Sequence, residues 1–208
     1  MANVIAPHGF TPIRGNGMYT GQDNIYFIPA TDGNQYNIGD AVKSAVGTEP
    51  NGIPSVTKST GAASEFQRGV IVGVMPVQAV GTPSLVGVPL QLEIINIPAA
   101  KTRGYYVMVN DNPNTLYQIQ DDGLNVLTAA ANSKNASFTP ANNPNAQIQI
   151  SATVLTTASV AVTATLPLKI RGLYQQVAPG SGNQFGANAI WVVQFNLHEL
   201  SSSGVAGV

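Results

Sequence analysis

Histidine is the first residue to test for chemistry, because imidazole is both a general base near neutral pH and a common metal ligand. His8 and His198 stand at opposite ends of the chain, and neither has a carboxylate or a second histidine at ligand spacing. His8 lies between Pro7 and Gly9, and His198 reads as an exposed residue at the end of an expected strand. A nucleophilic serine needs a Gly-x-Ser-x-Gly elbow, which is missing; Gly180-Ser181-Gly182 reads as a flexible turn. Asp111, Asp121 and Asp122 are the candidates for the paired carboxylates of glycoside hydrolysis. Turn formation accounts for them, since Asp111 sits in Asn110-Asp111-Asn112-Pro113 and Asp122 precedes Gly123. Asp121 and Asp122 could also offer oxygens to Ca²⁺, without the spacing of an EF-hand loop. The run from Gly15 to Gly21 is one residue too long between its later glycines for a dinucleotide fingerprint, and no apolar strand precedes it. Asn135-Ala136-Ser137 matches a glycosylation sequon in a chain with no secretion signal at Met1-Ala2-Asn3-Val4. The expectation is no catalytic residue, no cofactor and no metal site, with calcium at Asp121-Asp122 left open.

The elements that would position any such group are strands. Short apolar or alternating blocks, interrupted by Gly, Pro, Asn and Asp, predict strands at Asn24 to Pro29, Ala41 to Val46, Gly69 to Val77, Leu90 to Ile97 and Gly104 to Val109. Leu116 to Gln120, Gln147 to Ser151, Leu168 to Val177 and Ala189 to Leu197 continue the pattern. Asp32-Gly33, Asn51-Gly52 and Asp122-Gly123 supply turns. With 21 glycines and 14 prolines, long helices have little room, and only Asn125 to Ser133 is helical or loop. The fold class expected is all-β, a jelly-roll-like sandwich or barrel with an extended N-terminal arm and long loops. Residues 1–15 are read as the arm, 16–200 as a single β domain and 201–208 as a flexible tail. The stretch Ala136 to Ala146 reads as irregular surface chain.

Composition narrows the function classes. No cysteine is present, so disulfides and thiolate sites are excluded. Only 9% of residues are charged and the net charge is −1, with nine basic residues scattered from Arg14 to Arg171. Phosphate binding needs clustered cations, so nucleic acid is not an expected partner. No uncharged apolar segment is long enough to span a bilayer; the nearest, Val154 to Leu168, is broken by threonines, so no membrane role is expected. The chain is expected to remain in the cytoplasm of the cell that makes it. A surface with little charge repels identical copies weakly, which suits a dense assembly and equally a neutral extracellular module.

The opening Met1-Ala2-Asn3-Val4-Ile5-Ala6-Pro7-His8-Gly9-Phe10-Thr11-Pro12-Ile13-Arg14 resembles the start of a family of tailed-bacteriophage virion structural proteins. Similar segments follow in the same order: Ile38-Gly39-Asp40-Ala41-Val42-Lys43, then Gly69-Val70-Ile71-Val72-Gly73-Val74, then Tyr106-Val107-Met108-Val109-Asn110-Asp111-Asn112-Pro113. Leu166 to Leu173 and Gly186 to Val193 carry the likeness on to Asn196-Leu197-His198-Glu199, so it spans nearly the full chain. The insert Thr139 to Asn145 departs from it. The resemblance implies a capsid cement or decoration protein, an all-β body that binds as an oligomer, dimer or trimer, to the major capsid protein on the exterior of the virion after assembly in the host cytoplasm. It implies no catalytic residues. Expected contact residues are Pro7, Phe10, Pro12 and Arg14 in the arm and Asn196 and His198 near the last strand. Arg68, Arg103 and Arg171 join Arg14 as candidates for pairing with capsid carboxylates. The rival expectations are another virion part, a tail, neck or receptor-binding β-module, and behind it a carbohydrate-active enzyme.

Overall fold

A computed structural model describes residues 3–13, 21–47, 49–75, 96–142, 150–175, 182–201 and 207. Among them the chain is all-β. In order, the strands are β1 (Thr11–Pro12), β2 (Asn24–Ile28), β3 (Tyr36–Asn37), β4 (Ala41–Ser44), β5 (Val56–Lys58), β6 (Gly69–Val74) and β7 (Asn96–Ile97). They continue with β8 (Tyr105–Asn110), β9 (Tyr117–Gln120), β10 (Asn135–Thr139), β11 (Val154–Ala161), β12 (Leu168–Leu173) and β13 (Ile190–Phe195). The stretch read as helix or loop holds only a 3₁₀ turn at Ala129–Ala131, whose Thr128 hydroxyl accepts from the Ala130 amide.

Two antiparallel sheets stack in a sandwich-like arrangement. One runs β1-β9-β13-β12-β10-β11 and the other β2-β8-β6-β4-β5, with a small β3-β7 pair beside them. Each large sheet curls until distant strands touch: Asp121, just past β9, bridges Leu155 of β11, and Phe27 of β2 bridges Ser55 before β5. Curling of this kind follows from strand twist and shields edges that would otherwise pair with other chains.

Period-two alternation fills each curled sheet. Trp191, Val193 and Phe195 of β13 point inward with Tyr117 and Ile119 of β9 and Leu168 and Ile170 of β12, forming one apolar cluster. Tyr105, Val107 and Val109 of β8 point inward with Tyr26, Ile28, Val42 and Ile71 to form a second, while Met108 between them is 39% exposed. The cross-strand pair Ala41 and Val70 belongs to the second sheet yet packs in the first cluster, which is where the two sheets meet.

Of the expected arm, residues 3–13 are described, and the stretch from Gly9 to Pro12 lies against the body. Gly9 and Gly39 hold φ of 65° and 93°, and a side chain at Gly9 would collide with Ser151 Cβ at 2.5 Å. That close crossing lets the Phe10 amide donate to Gly39 O at 2.9 Å and drops the Phe10 ring among Tyr117, Phe138 and Phe195. Thr11 and Pro12 then pair with Gln118 and Tyr117 as an edge strand. The stretch expected to be irregular from Ala136 begins as β10, because Ala136 and Phe138 alternate into the core and Asn135 is buried with its amide donating to Thr163 O. Near the C-terminus, Gly207 donates its amide to Val162 O at 3.0 Å.

Candidate functional site

Of the six expected contact residues, the structure turns three inward. Phe10 is 1% exposed and is a core residue, so it offers no surface to a partner. His198, read as an exposed strand end, is fully buried. The correction has a physical reason: the chain does not leave the sheet after β13 but continues along the second sheet, where Gln67 and His198 form a parallel bridge. Asn196 is also buried, its amide donating to Ala164 O and Leu166 O and so closing the turn before β12. Pro7 and Pro12 are half-buried at the surface, and Arg14 lies outside the described residues.

Between the two sheets runs a seam of buried polar groups. Asp40, with no exposed surface, pairs with Lys58 Nζ at 2.9 Å and accepts from Ser151 Oγ at 2.6 Å and the Asn37 amide at 2.9 Å. The Ser151 amide donates to Ile38 O at 2.8 Å, next to a parallel bridge between Ile38 and Ile150. Further along, the Gln67 amide donates to Leu197 O and the Glu199 amide to Gln67 O, both at 3.0 Å. Glu199 accepts from the amide and hydroxyl of Ser44 and lies 3.6 Å from Arg68 Nη1. Arg68 Nε donates to the Tyr26 hydroxyl, which donates to Asp111 at 2.6 Å, with Asn24 on the same carboxylate at 2.9 Å. Burial and the Asp111 bond push the Tyr26 phenol up to about 12, so it stays a neutral donor.

Buried polar atoms without a partner among the described residues include Asn37 Nδ2, Gln67 Oε1 and Thr115 Oγ1. His198 Nδ1 accepts from the Leu200 amide at 3.1 Å, which puts the proton of the neutral ring on Nε2. Burial pulls His198 from the usual 6.5 down to about 4; the nearby carboxylates of Asp111 and Glu199 oppose that and Arg68 reinforces it.

The expected carboxylate candidates are each engaged by the fold. Asp121 accepts from Trp191 Nε1 at 2.9 Å and the Gly123 amide at 3.0 Å, and burial raises its pKa despite these bonds. Asp122 holds the Thr157 hydroxyl at 2.6 Å and the Leu124 amide at 3.1 Å, fastening the loop after β9 to β11. Among the described residues no group of three or more His, Asp or Glu side chains could hold a metal ion.

Part of the charge is paired within the fold. Lys43–Glu65 (2.5 Å), Lys58–Asp40, Arg68–Glu199 and Lys101–Asp32 (3.8 Å) pair four of the nine basic residues with four of the ten acidic ones. Lys101, whose side chain has no exposed surface, also donates to the carbonyls of Asp32, Asn34 and Ala99. What remains outside is largely amide, hydroxyl and aliphatic. Val4 and Ile5 are 77% and 74% exposed on a backbone that is nevertheless fixed, since Gln120 donates to Val4 O and accepts from the Ala6 amide, both at 2.8 Å.

None of these ties shows in the spacing of the sequence. Ser44 and Glu199 are 155 positions apart and Asp40 and Ser151 are 111 apart. The signal that was legible is weaker: a charged residue, Asp40, directly before the apolar start of β4. No family model, curated protein or solved structure matches the chain.

Proposed function

We propose that this chain is a capsid cement or decoration protein of a tailed bacteriophage, which binds the outer surface of the major capsid protein as a homo-oligomer and stabilises the mature head. The sequence resemblance supplies the phage; the observation that supports the reading on the molecule itself is a chain with a net charge of only −1, in which four of the nine basic residues are paired with carboxylates. Copies with so little net charge tolerate dense packing on a shell, and symmetry multiplies weak contacts. The curled sheets support the barrel side of the jelly-roll or barrel body that the family reading carries. Phe10, Asn196 and His198 drop out as contact residues, and the fixed apolar pair Val4 and Ile5 takes their place beside Pro7 and Pro12.

A cement acts by mass action: a subunit that binds only the mature shell stabilises it in proportion to occupancy. Purified protein added to heads that lack it should bind saturably and raise their melting temperature. Absence of binding, or binding with no rise, contradicts the proposal. A tail or neck part would instead be recovered in about a dozen copies or fewer per virion, as closed rings require.

A further inference from the structure

We infer that the groove between the N-terminal segment and the outer face of β9 and β13 is a binding site for a neutral sugar. The groove holds about 410 Å³ and is lined by Asn3, Val4, Ala6, His8, Gln118, Gln120, Tyr174, Gly182, Asn183, Asn188 and Ile190. That volume lies within the range of small-molecule sites. Two sets of polar groups line it, and they do different work.

One set builds the walls. Asn3 donates to Gln184 O and Ala187 O, Asn183 donates to Tyr174 O and Ile190 O and accepts from the Ile190 amide, and Gln120 clamps Val4, Ala6 and Asn188. These bonds fix three separate segments, so little ordering remains for a ligand to impose. The other set takes no part in these wall bonds: the Gln118 and Asn188 side-chain amides, the Tyr174 hydroxyl and His8 Nε2, the last of them buried and without a partner among the described residues. His8 Nδ1 sits 3.2 Å from Ala6 O and donates to it, which orients the ring.

Amides and a phenol both give and accept hydrogen bonds, which matches the two-way bonding of sugar hydroxyls. The half-buried Tyr174 ring, with Ile190 and Val4, adds apolar surface for the C–H face of a pyranose. Among the described residues the lining contains no Lys or Arg, which disfavours phosphates and acidic sugars, and no Asp or Glu, so it lacks the carboxylate pair that cleavage would need. The site binds and does not hydrolyse. This reading does not depend on the head role.

The test is an NMR titration of the full chain with glucose, galactose, mannose and N-acetylglucosamine, and with glucose 6-phosphate as the charged control. Saturable shifts at Gln118, Asn188 and Ile190 with at least one neutral sugar, weaker with the phosphate, are expected. Tyr174→Ala should weaken that binding about tenfold while the melting temperature holds; Gln118→Ala on the exposed sheet face serves if the tyrosine variant does not fold. No saturable shift with any neutral sugar, tighter binding of the phosphate, or binding indifferent to both variants overturns the inference.

Discussion

Inside the curled sheets, Trp191, Phe195, Tyr117 and Phe10 on one side and Ile28, Ile71, Val107 and Val109 on the other fill space with close-packed carbon. Between the sheets, Asp40, Lys58, Ser151, Gln67 and His198 do the joining with hydrogen bonds and charge. The two regions differ in what they tolerate. Apolar packing is non-directional and loses stability in proportion to volume removed, whereas a buried polar seam fixes one alignment and fails sharply when any partner is left unpaired. A protein that must present a fixed exterior gains alignment from the seam and cohesion from the interiors.

The largest effect should come from the interiors. Trp191→Ala opens a cavity and strips Asp121 of the indole donor, so urea unfolding should show a loss of about 4 kcal/mol. A loss below about 1 kcal/mol would mean the cluster is loosely packed. Next is the seam: Asp40→Ala leaves Lys58, Ser151 and the Asn37 amide without their acceptor and should cost about 3 kcal/mol. Hydrogen exchange on that variant should accelerate at Ser151, whose amide crosses the seam, before it accelerates at Ile119 or Val193 inside the first sheet. Simultaneous acceleration would erase the distinction between seam and interior.

Acid should also act on the seam. His198 is held near 4 in the folded chain against 6.5 when unfolded, so its contribution to stability is present in full above 6.5. As pH falls from 6.5 toward 4 the unfolded chain takes up a proton that the folded one refuses, and stability declines. A decline on the order of 2 kcal/mol is expected over that window, and His198→Gln should flatten it. Asp32 and Glu65, both held below the carboxylate range by hydrogen bonds and lysine partners, lose their contributions only at lower pH. An unchanged slope in His198→Gln would place the sensitivity elsewhere.

The smallest effect concerns the exterior. Gln120→Ala releases Val4, Ala6 and Asn188 at once and should cost about 1 kcal/mol globally while the Ala6 amide loses most of its exchange protection. Retained protection would show that the N-terminal segment is held by something other than this amide.

Strands were legible where their inward faces are apolar throughout. Gly69–Val74, Tyr105–Asn110 and Ile190–Phe195 match the alternation that predicts them. Val154–Ala161 escaped because one of its inward positions is Thr157, which is buried against Asp122 rather than against carbon. Asn135–Thr139 escaped for a similar reason, with buried Asn135 at its start and the Asn/Pro run close behind. Val56–Lys58 is too short to show a period. Of the expected contact residues, Phe10 was misplaced because a Pro-rich stretch resembles a free arm, while the Gly9 and Gly39 crossing that draws it inward pairs positions thirty residues apart. The seam was invisible because its members meet only after both sheets have formed, and the groove because its walls meet only once the N-terminal segment lies on β9 and β13.

The most direct measurement is a reconstruction of the virion at a resolution that traces side chains. The account predicts density for this chain on the outer face of the shell, at junctions between capsomers, in a copy number close to that of the major capsid protein, with Val4 and Ile5 against a neighbouring subunit. Density confined to the neck or tail, or no density on the shell, would contradict it.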